Sequence, residues 1–451
     1  MHSSLPKALH PVCGRPMVAW PILAAREAGA ARVVAIVSPQ RDISAGLPAD
    51  TETVPQPQAD GTGGAIRAAI DIVRDSGIVV VLSGDHPVIS AAAIGGLLDA
   101  HGANGAAATV MTTELDEPGS YGRIVRADDG SLERIVEAKK PGDATPAELE
   151  IKEVNAGTYV FDGAALAAAL DEITNDNAQG EYYLGDVLPL IRAGGGAVTA
   201  HLVGDEAVTL GVNSRLDLAR ATAEARRRIL EGHMLAGVTV TDPSATWIDA
   251  DVKIAADATI EPGTSLRGRT EVGAGSIVGP NTTLIDSKLG ERVAVPHSYL
   301  VECEVLDGCA VGPFAYIRPQ TVLAEGAKAG AFVEIKNSRV GEGAKVPHLS
   351  YVGDAEIGAG SNIGAGSITA NYDGFRKNRT VIGEHCRIGV DTMLVAPVSI
   401  GDGAYTGAGA VIRKDVPPGA LAVPQENRQR HIEGYAERRA KQAEEDQETG
   451  S

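Results

Sequence analysis

Aliphatic residues recur every six positions through the second half of this chain. They stand at Ile254, Ile260, Leu266, Val272, Val278 and Leu284, then at Val305, Val311, Ile317, Leu323, Ala329 and Ile335. The beat continues through Val340, Val346 and Val352, through Ile357 and Ile363, and through Ile382, Ile388, Leu394, Ile400, Thr406 and Ile412. A period of six suits neither an α-helix nor an alternating strand. It is the signature of a parallel β-helix, in which each hexad supplies one short strand and a corner. The aliphatic side chain points inward and stacks on its copies in neighbouring coils. Gly often follows it, as at Val272-Gly273 and Ile388-Gly389, and relieves the corner. The period breaks at 286–304 and at 369–381. The second break is polar and predicts a loop ejected from a regular coil, a common place for function.

Bulk composition narrows the rest. A chain of 451 residues is long enough for more than one domain. Aromatics make up only 4%, which suits a small-residue repeat. The net charge of −19 repels nucleic acid and anionic membranes, so phosphate binding requires local cationic patches. Cys13, Cys303, Cys309 and Cys386 are scattered, which argues for a reducing compartment and against a zinc cluster. The start carries no signal-like apolar run, and no stretch is apolar enough to span a membrane. The expectation is a cytoplasmic protein with small-molecule partners, no nucleic acid and no membrane insertion.

Residues 1–212 read as α/β, with strand-like runs at 32–37, 78–82, 106–111, 154–161 and 197–203. Helical stretches at 17–28, 64–74 and 163–173 lie between them. That alternation predicts a Rossmann-like, largely parallel, doubly wound sheet. Residues 213–237 read as a helical linker, 238–432 as the β-helix, and 433–451 as a charged, disordered tail.

Several short motifs carry candidate chemistry. Ser83-Gly84-Asp85-His86-Pro87 follows an apolar strand, where ligands of such sheets bind. Asp85 reads equally as a cation ligand or as a turn residue capping the next helix. Gln56 with Gly61-Thr62-Gly63 suits a loop that reads a base edge. Lys7 suits a phosphate, while Tyr121-Gly122-Arg123, Glu137 and Asn155-Ala156-Gly157 fall near strand ends. Asn213 reads equally as the N-cap of the linker helix or as a metal ligand.

In the β-helix, His348 lies off the stripe formed by Val346 and Val352 and is free for proton transfer. Glu334, fourteen residues earlier, is close to one eighteen-residue coil, so stacking is expected to bring its carboxylate to the imidazole. Arg318, Lys336 and Lys377 offer cations for a sugar phosphate, and Tyr351 and Asn362 offer polar groups for its hydroxyls. Stacking is expected to gather this set on one side. A β-helix carbonic anhydrase is the rival enzyme class, but His348 and His385 have no third histidine close in the pattern.

In order and spacing the first-half motifs resemble the sugar-phosphate nucleotidyltransferases. With the β-helix they resemble the bifunctional N-acetylglucosamine-1-phosphate uridylyltransferase / glucosamine-1-phosphate acetyltransferase family over nearly the whole chain. The resemblance implies a left-handed β-helix and a homotrimer. It places Gln56, Gly61, Thr62, Asp85, Gly122, Glu137, Asn155 and Asn213 on UDP-N-acetylglucosamine, with Asp85 and Asn213 on Mg²⁺ and Lys7 at the phosphates. Arg318, Lys336, Tyr351, Asn362 and Lys377 would hold glucosamine 1-phosphate, with His348 as general base. Asn371 and Tyr372 would meet acetyl-CoA, in a channel lined by Ala365, Val390 and Ala408.

Three departures accompany this resemblance. The family opens with a strand and an LAAGxGTRM loop, and this chain begins at the Met closing that motif. The expectation is a true start upstream; otherwise uridylyl transfer is impaired and the chain is an acetyltransferase only, or a non-catalytic sugar-nucleotide sensor. Val390 stands where the family often has Ser. The basic residue that meets CoA is expected at Arg428 or Arg430.

Overall fold

The computed structural model describes residues 1–424 except 129, 139, 141 and 177–179, together with 431, 433–438, 440 and 441. Arg428 and Arg430, and most of the expected tail, lie outside the described residues. The chain forms two compact units, residues 1–254 with 265–270, and residues 255–264 with 271–451.

In the first unit the main sheet runs in the order Val198–Leu202, Ala108–Glu114, Glu153–Asp162, Arg123–Arg126, Leu132–Val136, and Ile78–Val81 also pairs with Glu153–Asp162. Val198–Leu202 and Ala108–Glu114 are parallel, but Glu153–Asp162 is antiparallel to both Ala108–Glu114 and Ile78–Val81. This mixed sheet corrects the expectation of largely parallel strands. The segment between Ala108–Glu114 and Glu153–Asp162 holds the hairpin of Arg123–Arg126 and Leu132–Val136 and only the short helix Pro146–Leu149. Without a full crossover helix, the chain re-enters the sheet in the opposite direction. Val34–Val37 and Glu52–Pro55 form a separate parallel pair.

Helices Gly163–Glu172 and Val187–Ala193 cover one core, built on Phe161, Leu166, Leu170 and Val187. Helix Ala91–Ala103 supplies Ile94 and Leu97 to a second, against Met111 and Val160. The helix Arg215–Leu235 starts in a capping box of Ser214 and Asp217.

The second unit is a parallel β-helix with three ladders of short strands. Thr259–Ile260 lies over Ile277–Val278, Thr283–Ile285 over Tyr299–Val301, and Glu271–Val272 over Lys288–Leu289. From Ile260 onward its hexad aliphatics are nearly all sealed, with Ile260, Val278, Ile317, Ile335 and Val346 at 0% exposure. A fully buried side chain of this size contributes about 1.5–3 kcal/mol, so the stack is the unit's main source of stability.

The break in the six-residue period at 286–304 is made by shorter steps, with the strands still stacked. Leu284, Leu289, Val295, Leu300 and Val305 still point inward, at steps of five or six residues. Each five-residue step has a left-handed residue at its corner, such as Asp286, His297, Glu302, Asn337 or Asp354. A serine often follows and fixes the turn. Ser287, Ser298, Ser338 and Ser350 each donate to the carbonyl two residues back, at 2.7–2.8 Å. The second break is a true excursion: Ile357 pairs with Ile382, and an antiparallel bridge between Tyr372 and Lys377 closes the loop between them.

Inward and outward positions should therefore differ sharply in cost. Ile335→Ala is expected to lose about 2–5 kcal/mol in urea unfolding. Ile277→Ala, at a residue 49% exposed, should stay within about 0.5 kcal/mol.

Candidate functional site

The first unit holds a cavity of about 620 Å³ lined by Gln56, Gly61, Thr62, Glu137 and Asn155. Gly61 sits at φ 99°, and a Cβ there would lie 2.5 Å from the Tyr182 carbonyl oxygen. That backbone has to be glycine. Gln56 Nε2 donates to Asp60 at 2.8 Å and to the Gly61 carbonyl at 3.2 Å. Thr62 Oγ1 accepts from the Leu184 amide at 3.0 Å. Asn155 Nδ2 donates to the Tyr159 hydroxyl at 2.7 Å, and the Asn155 amide donates to the Gly122 carbonyl at 2.9 Å.

Lys7, Asp85 and Asn213 gather in a second cluster of this unit. The Lys7 ammonium donates to Asp85 Oδ2 at 2.6 Å and to Asn213 Oδ1 at 2.8 Å. The capping alternatives fail for both oxygen donors. Ser90 caps helix Ala91–Ala103, and Ser214 caps Arg215–Leu235. Asp85 and Asn213 thus converge on one cation, here an ammonium. A hard divalent ion takes the same oxygen donors, so the pair fits Mg²⁺ with further positions left to water and phosphate. Beside them His86 packs between Gly157 and Gly211. Burial holds its pKa below the ordinary value despite the Asp85 charge.

In the second unit the candidate residues line two adjacent corners. His348, exposed, accepts at its carbonyl from Gly366 N. Ala365 O accepts from Asp391 N at 2.7 Å, and Val390 O accepts from Gly409 N at 2.9 Å. His348, Ala365, Val390 and Ala408 therefore follow one edge of the β-helix. Strand Tyr351–Gly353 leads from this edge to the corner at Asp354.

That next corner collects the cations. Arg318 donates to Glu334 at 2.8 Å and lies over the Tyr316 ring, 5.7 Å from its centroid. Lys336 reaches Asp354 at 3.4 Å. The Lys377 amine as acceptor, and then the Asp354 charge, keep Lys336 above the ordinary lysine pKa. Lys377 is held below it, by Lys336 first and by Arg318 further off. Burial alone would raise the pKa of Asp354. The amides of Asn337 and Asn371 and the Lys336 ammonium outweigh burial and hold it below the usual carboxylate value. Asn371 is 7% exposed, whereas Tyr372 is 62% exposed on the excursion.

Two expectations need correction. Glu334 does not stack on His348: it lies in register with Tyr351, while His348 lies over Ala331. Fourteen residues is not a whole coil, because the coils here repeat at seventeen, as from Ala331 to His348. Glu334 and His348 fall on different faces, and Glu334 pairs with Arg318 instead. Nor is Asn362 gathered with the cations. It sits on the face of Lys345 and Arg387.

Sequence comparison bears on both sites. The nucleotidyl transferase family matches residues 2–212, and the bacterial transferase hexapeptide family (six repeats) matches residues 379–414. A relative from Mycobacterium bovis, bifunctional protein GlmU, is 48% identical over 97% of this chain and 90% of its own length. Relatives of the same name from Mycolicibacterium vanbaalenii and Mycobacterium marinum are 47% and 46% identical over the same shares. The chain belongs to the GlmU family. It is a bifunctional transferase, with a nucleotidyltransferase part followed by a hexapeptide-repeat part.

Sequence reasoning missed several residues of this GlmU chain. Arg134, Tyr159, Glu181 and Asp186 also line the cavity. Asp186 is raised above the usual carboxylate pKa by burial and by Glu137. Its signal was the run Glu181-Tyr182-Tyr183-Leu184-Gly185-Asp186, acidic and aromatic against Gly61. Asp354 after Gly353 carries no signal of its own in the sequence.

The lysine pair gives a direct test of this geometry. Lys336→Met should raise the Lys377 pKa toward the ordinary lysine value in an NMR titration of the side-chain nitrogen. An unmoved Lys377 would show that the two ammonium groups are not neighbours.

Proposed function

We propose that the chain makes UDP-N-acetylglucosamine in two steps. The β-helix transfers an acetyl group from acetyl-CoA to the amine of glucosamine 1-phosphate. The N-terminal unit then joins N-acetylglucosamine 1-phosphate to the uridylyl group of UTP and releases pyrophosphate. We assign these steps to residues 1–212 and 238–432, with 213–237 as linker and 433–451 as tail.

One observation carries the reading. Arg318 on Glu334 and Lys336 on Asp354 bring two cations to one face of the β-helix, in a chain of net charge −19. Fixed cations of this kind complement a phosphate group. A sugar phosphate fits them, next to an edge carrying an exposed histidine.

In the acetyl step His348 takes a proton from the amine as the nitrogen attacks the thioester carbonyl. Backbone N–H groups support the oxyanion, and CoA leaves as the thiol. Arg318, Lys336 and Lys377 hold the phosphate, and Tyr351 and Asn362 the hydroxyls. Asn371, Tyr372, Ala365, Val390 and Ala408 receive acetyl-CoA. Glu334 acts on Arg318 rather than on His348. Transfer is direct: all four thiols are buried, and burial pushes Cys13 up to about 12 and Cys303 and Cys309 up to about 11.

In the uridylyl step Gln56, Gly61, Thr62, Gly122, Glu137 and Asn155 receive the sugar nucleotide. Asp85 and Asn213 would hold Mg²⁺, which supplies charge neutralisation to the phosphates. Lys7 then turns from the two oxygens to a phosphate.

We further propose a homotrimer in the cytoplasm. Asn362 stands on a different face from the cations, so a neighbouring copy is needed to complete the site. A ladder of apolar rings beside His348 supports this: Phe314 and Phe332 stack at 5.2 Å and are 55% and 60% exposed.

A paired assay tests the proposal. One arm measures thiol release from acetyl-CoA with glucosamine 1-phosphate, the other pyrophosphate release from UTP with N-acetylglucosamine 1-phosphate and Mg²⁺. His348→Ala should lower thiol release by about 10²–10⁴-fold and leave pyrophosphate release alone. Asp85→Ala should do the reverse. Thiol release without pyrophosphate would favour an acetyltransferase only. A folded protein silent in both arms would favour a sensor.

A further inference from the structure

We infer that Asp354 is a positioning residue that ties the sugar-phosphate cations to the acetyl-CoA loop, so that the two substrates share one support. The inference rests on the acetyltransferase reading and adds a residue to its machinery.

Asp354 sits at a left-handed corner, φ 51°, and is 7% exposed. Its neighbours in the corner column are Asn337, seventeen residues before, and Asn371, seventeen after. Both donate to it. Asn337 Nδ2 bonds Oδ1 at 2.6 Å, and Asn371 Nδ2 bonds Oδ2 at 2.5 Å. Lys336 Nζ stands 3.5 and 3.4 Å from the same two oxygens. A carboxylate is the side chain that meets three donors, because it only accepts.

The backbone of Asp354 takes part as well. Its carbonyl accepts from the Thr380 amide at 3.2 Å. The excursion from the coil therefore leaves through Asn371 and returns through Thr380, and both ends are bonded to residue 354. Within the excursion the Asn378 amide donates to the Asn371 carbonyl at 2.7 Å. Tyr372 and Lys377 are carried on the loop so rooted.

One side chain thus orients Lys336, which faces the sugar phosphate, and Asn371, at the root of the loop assigned to acetyl-CoA. Placing a charge and an amide through a shared buried acceptor fixes both at once. Losing that acceptor should disturb both substrates, whereas losing either partner should disturb one.

The test is steady-state kinetics of thiol release with Asp354→Asn, Lys336→Ala and Asn371→Ala, each substrate varied in turn. Asp354→Asn keeps the shape but puts a donor among donors. It should raise KM for glucosamine 1-phosphate and for acetyl-CoA together, each by about tenfold. Lys336→Ala should raise mainly the first and Asn371→Ala mainly the second. Adding Asn371→Ala to Asp354→Asn should raise the acetyl-CoA KM by less than the product of the single effects. A lower Tm with both KM values within twofold of the parent would overturn the inference and leave Asp354 a purely structural corner. A rise in one KM alone would overturn it too. Absence of thiol release from the parent protein would instead remove the acetyltransferase reading itself.

Discussion

Each coil of the β-helix must return to the same three corners while its aliphatic residues stay stacked inside. Every functional feature of that unit follows from how the corners are made. An inward Val or Ile cannot shift by one position without turning the next side chain into the core. The chain therefore absorbs length changes at corners, and it does so with left-handed residues such as Asn337, His297 and Asp354. Side chains at these corners project in columns, one per coil. The same geometry that stabilises the stack thus delivers rows of chemistry along each edge. His348 lies on one such edge, and Asp354 lies on the next.

This explains what was legible beforehand. The hexads could be counted, because burial of Ile317, Ile335 and Val346 is a strict demand that recurs at a short period. The excursion at 369–381 could be seen, because it interrupts that count with polar residues. The pairing of Glu334 was not legible. Pairing across coils depends on the full coil length, and a five-residue corner such as the one at Asn337 shortens a coil by one residue. Fourteen residues fall three short of the seventeen-residue coil, which puts Glu334 on a different face from His348 and leaves it to Arg318. The role of Asp354 was hidden for a related reason: its partners Asn337 and Asn371 are each a full coil away.

The N-terminal unit was legible in its elements but less so in its directions. Apolar runs marked the strands Ile78–Val81, Ala108–Glu114 and Glu153–Asp162. The antiparallel course of the last depends on a hairpin whose strands are short and half exposed, and such strands leave a weak pattern. The capping signals around Asp85 and Asn213 were ambiguous by themselves, since Asp and Asn serve equally as caps and as ligands. Only the observed caps, Ser90 and Ser214, release these two side chains for Lys7.

Electrostatics connects the two units at the level of chemistry. A chain of net charge −19 offers little general attraction to phosphate-bearing substrates. Affinity must come from a few cations held in fixed places. The two clusters solve this differently. Lys7 rests on Asp85 and Asn213, side chains suited to a divalent ion, so it has somewhere to sit when no substrate is present. Arg318 and Lys336 rest on Glu334 and Asp354. Glu334 and Asp354 thereby fix where the Arg318 and Lys336 head groups lie.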